Sequence, residues 1–145
     1  MATSSFFDGL CESLHLPVSR IGFMQTDLDN FCSHFLKWQY AIAPRRDWNV
    51  QTNASASIAD ALQGLLPIPN AKRKILVVPT KNNWIALFEN RKNGLEPSAM
   101  QHLCTVIRCH AIYFVALPEA AIQFEYYGFL QTDFLNYIRS VSLTN

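Results

Sequence analysis

Two short apolar runs joined by turn-forming residues stand at the centre of the hydrophobic pattern of this chain. Residues 75–78 are aliphatic, residues 79–83 have turn composition, and residues 84–88 are apolar again. This arrangement predicts a β-hairpin. In the second run Trp84, Ala86 and Phe88 point one way while the alternate positions, also apolar, point the other. We therefore expect a strand that is buried on both faces and lies in the middle of a sheet.

Three helices are predicted before the hairpin and one after it, because apolar residues recur there at three- and four-residue steps. Their predicted ranges are residues 4–14, 27–43, 53–65 and 97–108. Thr26 and Asn53 are the predicted N-caps of the second and third helices. Pro44 should end the second helix, since a residue before proline avoids helical geometry. Pro97 suits the first position of the last helix.

The remaining segments favour strands. Residues 110–117 predict a buried strand that stops at Pro118, and residues 121–127 alternate in the manner of a strand near the sheet edge. Residues 134–143 predict a last strand or a short helix leading into one, and residues 18–25 a connection or a brief strand. The expected fold is a single α+β domain over residues 1–145, with N-terminal helices packed on a four- to five-stranded antiparallel or mixed sheet and one inserted helix.

Composition narrows the class of function. Charged residues make up 16% of the 145-residue chain, against about 25% in a typical soluble domain. Either a large hydrophobic core or a surface that contacts another protein explains the low content of charged residues, and the sequence does not decide between these two explanations. The net charge of +1 argues against a dedicated nucleic-acid binder. The N-terminus lacks signal-peptide composition and no apolar run reaches membrane-spanning length, so we expect a cytoplasmic protein without a membrane partner.

Candidate catalytic and metal-binding chemistry is sparse. Cys32 near His34, and Cys104 and Cys109 before His110, do not match the ligand spacing of a structural zinc site, so the cysteines are predicted to be free thiols. The chain lacks a G-x-S-x-G nucleophile turn and a glycine-rich phosphate loop. We therefore predict neither a metal nor a cofactor and no enzymatic activity. A hydrolase or nuclease whose residues meet only in the fold stays as an alternative.

Aromatic residues give a further signal. Trp38, Tyr40 and Trp48 fall off the apolar stripe of the second helix or follow it, and Tyr126 and Tyr127 lie on a predicted edge strand. Core lining explains such residues, and so does a protein interface, because tryptophan, tyrosine and arginine dominate interface hot spots.

Residues 84–90, Trp-Ile-Ala-Leu-Phe-Glu-Asn, followed by Gly94, resemble the W-x-A-x-F-x-N-x3-G core of a bacterial family of small proteins. The chain also carries the later parts of that pattern in order: Cys109 before a strand, Pro118 after it, Phe124 in the next strand, and a closing segment at residues 133–141. The resemblance covers about residues 74–141. Trp84, Phe88, Asn90 and Gly94 are interpreted as fold determinants rather than as contacts with a partner.

The family is similar to the immunity proteins of contact-dependent toxin systems, which bind a cognate toxin domain and block it without catalysis. The resemblance therefore implies a cytoplasmic immunity protein whose partner is a toxin domain. The alternative is an adaptor or chaperone-like subunit that binds a secreted effector. The residues predicted to contact the partner are Trp48, Glu89, Arg91, Tyr126 and Tyr127.

Overall fold

A computed structural model describes residues 19–52, 57–65, 72–91, 95–117, 121–129 and 137–144 of the chain. The helix predicted at residues 4–14 and its apolar face lie outside the described residues, as do Asn53 and Gly94. The described elements are β1 (Ser19–Met24), α1 (Leu28–Ile42), α2 (Ile58–Gln63), β2 (Ile75–Pro79), a 3-10 turn (Lys81–Asn83), β3 (Ile85–Glu89), α3 (Pro97–Ile107), β4 (Ala111–Leu117), β5 (Ala121–Tyr127) and β6 (Tyr137–Thr144).

The described strands form one sheet in the order β2-β3-β1-β4-β5-β6, and each neighbouring pair is antiparallel. The α+β class is confirmed, and the sheet is antiparallel rather than mixed. It has six strands instead of four or five, because β1, predicted as a connection or a brief strand, enters between β3 and β4. Gly22 pairs with Leu87 on one side and with Tyr113 on the other. β5 is an interior strand, since β6 pairs along its outer side.

The predicted hairpin is confirmed, with Val77 opposite Leu87 across β2 and β3. All five residues of β3 are buried. Ile85 and Leu87 belong to the core on one side of the sheet, and Ala86 and Phe88 to the core on the other. The two-sided apolar pattern thus placed this strand inside the sheet, between β2 and β1.

The helix caps differ in part from the prediction. Asp27 rather than Thr26 caps α1, because its Oδ1 accepts the Asn30 backbone N–H at 2.8 Å. Thr26 is buried and its hydroxyl instead accepts from the Asn30 side chain at 2.9 Å. The six-residue helix α2 is capped by Ser57. Pro97 opens α3 as predicted, and the helix ends at Arg108 in the left-handed conformation (φ 62°).

Helices α1 and α3 cover one face of the sheet and α2 lies on the other. The larger core, on the α1 and α3 side, includes Phe31 and Phe35 of α1 and Met100 and Leu103 of α3. The smaller core joins Leu62 of α2 to β1 and β3. Among the described helices, none combines the length and the apolarity needed to cross a bilayer.

Candidate functional site

A buried carboxylate paired with two arginines lies where β3 ends. The side chain of Glu89 has no exposed surface, and its Oε1 accepts from Arg73 Nε at 2.5 Å and from Arg91 Nε at 3.1 Å. Arg73 Nη2 approaches the second carboxylate oxygen at 3.4 Å, so Arg73 binds Glu89 through two atoms. Arg73 is 17% exposed and Arg91 is 45% exposed. This geometry, with one arginine shielded from water, is that of a specific charge-assisted pair.

The local sequence explains why Arg73 meets Glu89. The antiparallel pairing of β2 with β3 places Ile75 opposite Glu89, so residues 72–74 run beside the end of β3. Asn90, which is buried, fixes that segment from both sides: its Oδ1 accepts the Lys74 backbone N–H at 2.6 Å and its Nδ2 donates to the Lys72 carbonyl at 2.9 Å. The role of Asn90 as a fold determinant follows from these two bonds.

Trp48 and Gln39 complete the cluster around Arg73. The Arg73 guanidinium lies 5.9 Å from the centre of the Trp48 ring, a cation–π distance. The same ring packs edge-on against Phe35 at 5.2 Å. Gln39 of α1, fully buried, accepts from Arg73 Nη1 at 3.3 Å. Sequence reasoning did not select Gln39 or Arg73 as site residues. The available signal was a polar residue four positions after Phe35, on the apolar stripe of α1.

Exposed apolar side chains lie close to Trp48 along the chain. Tyr40, Ile42 and Val50 are among the large hydrophobic residues that stay exposed, and the latter two are each 60% exposed. The Trp48 backbone N–H approaches the Tyr40 hydroxyl at 3.4 Å, which connects α1 to the loop after it. We group the partly or fully exposed residues of this region under one name, the Trp48 surface. Its members are Tyr40, Ile42, Arg45, Arg46, Trp48, Val50, Arg73 and Arg91.

Tyr126 and Tyr127 lie elsewhere and face opposite sides of β5. Tyr127 is buried in the core beneath α1 and α3 and donates a hydrogen bond to the Glu125 carboxylate. The Tyr126 hydroxyl lies 2.5 Å from His110 Nδ1, and the two rings stack at 5.7 Å. Burial raises the pKa of the Tyr126 phenol. The two tyrosines therefore do not form one contact surface.

The predicted contact residues divide by exposure. Trp48 and Arg91 are brought together through Arg73, and both reach the surface with part of their side chains. Tyr126 is partly exposed at a separate place. Glu89 and Tyr127 are buried. Partner contact stays a prediction for the three exposed residues, and the burial of the other two assigns them to the interior.

A second polar group surrounds Tyr113. Its hydroxyl donates to the Leu95 carbonyl at 2.5 Å and accepts from Arg20 Nη1 at 3.4 Å, while Arg20 Nε, also buried, has no partner among the described residues. Burial raises the pKa of the Tyr113 phenol, and the nearby Glu89 and Glu125 carboxylates act in the same direction. Each of those carboxylates already has its own partner, Glu89 in the arginines and Glu125 in the Tyr127 hydroxyl.

Among the cysteines in the described ranges, Cys104 and Cys109 are buried and Cys32 is partly exposed. Cys32, Cys104 and Cys109 are free thiols. Cys104 Sγ donates to the Cys109 carbonyl at 2.7 Å, which fixes the end of α3 against β4. Within the described ranges, no three histidine, cysteine, aspartate or glutamate residues cluster in a way that would hold a metal ion.

No protein-family model, no curated protein and no solved structure matches the chain.

Proposed function

We propose that this chain is a non-catalytic immunity protein, acting in the cytoplasm, that binds a toxin domain through the Trp48 surface. The sequence resemblance across residues 74–141 supports the class of function. The observation that carries the proposal is that a partly exposed Trp48 contacts Arg73, and that exposed apolar residues and arginines lie in the same stretch of chain, residues 40–50. These residue types are enriched at the energetic centres of protein interfaces.

The chemistry of the surface defines the partner. Ile42 and Val50 offer apolar area, and Arg45 and Arg46, both exposed, lie between them in sequence. A complementary partner presents an apolar centre rimmed by acidic side chains, because opposite potentials favour association and correct orientation. A strongly basic nuclease domain does not fit this surface, which agrees with the weakly positive net charge of the chain.

The experiment is co-expression of this chain with the polypeptide encoded immediately upstream, with growth and co-purification as the two readouts. Rescue of a growth defect together with a stable complex supports the proposal. A complex without toxicity would assign the chain to the adaptor class instead. Failure of both readouts contradicts the proposal.

Variants then test the surface. Ile42→Asp and Val50→Asp each place a charge where the interface should be apolar, and we expect the affinity to fall about tenfold or more, as for a hot-spot residue. Ile58→Asp is the matched control, since Ile58 is also exposed but begins α2 on the opposite face of the sheet. Equal affinity of all three variants would exclude the Trp48 surface.

A further inference from the structure

Two buried donors beside Arg73 have no acceptor in the part of the chain that the structure describes. Trp48 Nε1 and Gln39 Nε2 are each inaccessible to solvent and make no hydrogen bond to the described residues. Buried donors in folded proteins are nearly always paired, with protein, water or ligand. Two such donors around one guanidinium therefore indicate a site that an acceptor completes.

The orientation of the Gln39 amide follows from its neighbour. An arginine guanidinium donates hydrogen bonds and cannot accept them, so the atom of Gln39 that faces Arg73 must be the oxygen. The amide nitrogen then points away from Arg73 and cannot be satisfied by turning the amide over. Gln39 is fully buried, so its unpaired nitrogen faces the protein interior rather than bulk water.

The charge around these donors favours an anion over a neutral acceptor. Arg73 and Arg91 share the single carboxylate of Glu89, which leaves the cluster with excess positive charge. Glu96 approaches Arg91 only at 3.8 Å and is largely exposed, so water and salt weaken its contribution. Hydrogen bonds from N–H donors to an ionised acceptor are stronger than those to a neutral one.

Access runs through the loop that carries Trp48. Residues 43–52 have no helix or strand, and the Trp48 backbone N–H has only a long contact with the Tyr40 hydroxyl, at 3.4 Å, among the described bonds. Both donors are closed to solvent in this structure, so binding of an anion here requires this loop to move.

We propose that Trp48 Nε1 and Gln39 Nε2, beside Arg73, bind the carboxylate of an aspartate or glutamate side chain from the partner. The proposal rests on the proposed function, because it places the anchor of the partner at the centre of the Trp48 surface. It defines the partner more narrowly: an acidic side chain inserts where the loop opens, and the exposed apolar residues pack around it.

The test uses the full chain and sodium acetate as the probe, so it does not depend on identification of the partner. The indole Nε1–H resonances of the three tryptophans are recorded by NMR at constant ionic strength, with chloride as the comparison anion. Trp48→Phe identifies its resonance by the signal that disappears. We expect a saturable downfield shift of the Trp48 resonance with acetate and not with chloride. A Trp48 resonance that is insensitive to acetate overturns the proposal.

Variants separate the site from a general salt effect. Gln39→Leu keeps a side chain of similar size and removes the donor, so acetate affinity should fall about tenfold, as for one lost hydrogen bond to a charged group. Trp84→Phe is the control, since Trp84 lies at the turn between β2 and β3, at the opposite end of β3 from Glu89. Its acetate response should be unchanged. Equal weakening of acetate binding in both variants contradicts the assignment. Tighter binding of N-acetylglycinate than of acetate also contradicts the assignment to an acidic side chain.

This result is independent of the test of immunity. Acetate binding at Trp48 in a chain that protects against no toxin would keep the carboxylate site and reject the toxin as partner. A toxin complex whose affinity is the same in Gln39→Leu and in the unmodified protein would keep the proposed function and reject the anchor.

Discussion

Replacement of Glu89 by glutamine is the most direct test of the charge cluster, because it removes one charge and almost no volume. The Glu89 side chain is fully buried and bonded to Arg73 at 2.5 Å, and Arg73 is itself only 17% exposed. Removal of one member of a buried ion pair costs about 3–5 kcal/mol, since the other charge loses its partner. Arg73 keeps some water contact and glutamine still accepts a hydrogen bond, so we expect a loss of about 2–3 kcal/mol.

For a chain of this length, that loss corresponds to a decrease in Tm of about 6–9 °C. Arg91→Gln is the matched comparison because it breaks the other bond to the same carboxylate. Arg91 is 45% exposed, so its contribution is that of a surface pair, about 0–1 kcal/mol.

The free energies of unfolding are measured by urea titration, followed by tryptophan fluorescence and circular dichroism. The loss in Glu89→Gln should persist in about 0.5 M salt, whereas any loss in Arg91→Gln should shrink, since salt screens exposed charges more than buried ones. If the two variants lose stability equally, or if Glu89→Gln is as stable as the unmodified protein, the assignment of Glu89 as a buried, paired charge is refuted.

Two further predictions concern the core. The pKa of Tyr113 is raised above its ordinary value of 10.0 by burial, so the unfolded chain releases this proton first and stability should fall as pH rises from about 10. Tyr113→Phe should lower the free energy of unfolding by about 1–2 kcal/mol at pH 8, because the Leu95 carbonyl loses its donor. The variant should also lose less stability at alkaline pH than the unmodified protein. If the urea midpoints of the two proteins fall in parallel as pH rises, this prediction is wrong. Gly22→Ala should cost about 1–3 kcal/mol by overpacking, since its Cβ would lie 2.7 Å from Met100 Sδ in the core. Met100→Ala should remove that clash, so thermal unfolding of the double variant should show less destabilisation than the sum of the single variants, and strict additivity would exclude the clash.

The elements of the sheet could be predicted from local pattern where the pattern was two-sided or strictly periodic. β3 and β4 were predicted as buried strands, and α3 was predicted almost to its ends, because apolar spacing and Pro97 act within one turn or one strand. β1 was left between a strand and a connection. Its six residues become a strand because they pair with β3 on one side and β4 on the other. The partners of Gly22, Leu87 and Tyr113, lie about 65 and 90 residues further along the sequence.

The candidate site was predictable only in part. Trp48 and Arg91 were selected for their residue types, and both do lie at one cluster. Glu89 was predicted to contact the partner, but the structure buries it, because Asn90 holds residues 72–74 alongside and brings Arg73 onto the carboxylate. Tyr126 and Tyr127 were both predicted to contact the partner, but strand alternation directs the two side chains to opposite faces of the sheet.

The sequence by itself determined the α+β class, the hairpin at residues 75–89, the helix that Pro97 opens and the sparse surface charge. Each of these depends on interactions between residues close together along the chain. Only the tertiary structure decided which polar residues meet. Gln39, Trp48, Arg73 and Glu89 come from a helix, a loop, the approach to one strand and the end of another. A hydrophobic pattern specifies which face a residue turns inward, but the pairing of distant charges and the donors left without a partner are set by strand register and helix docking.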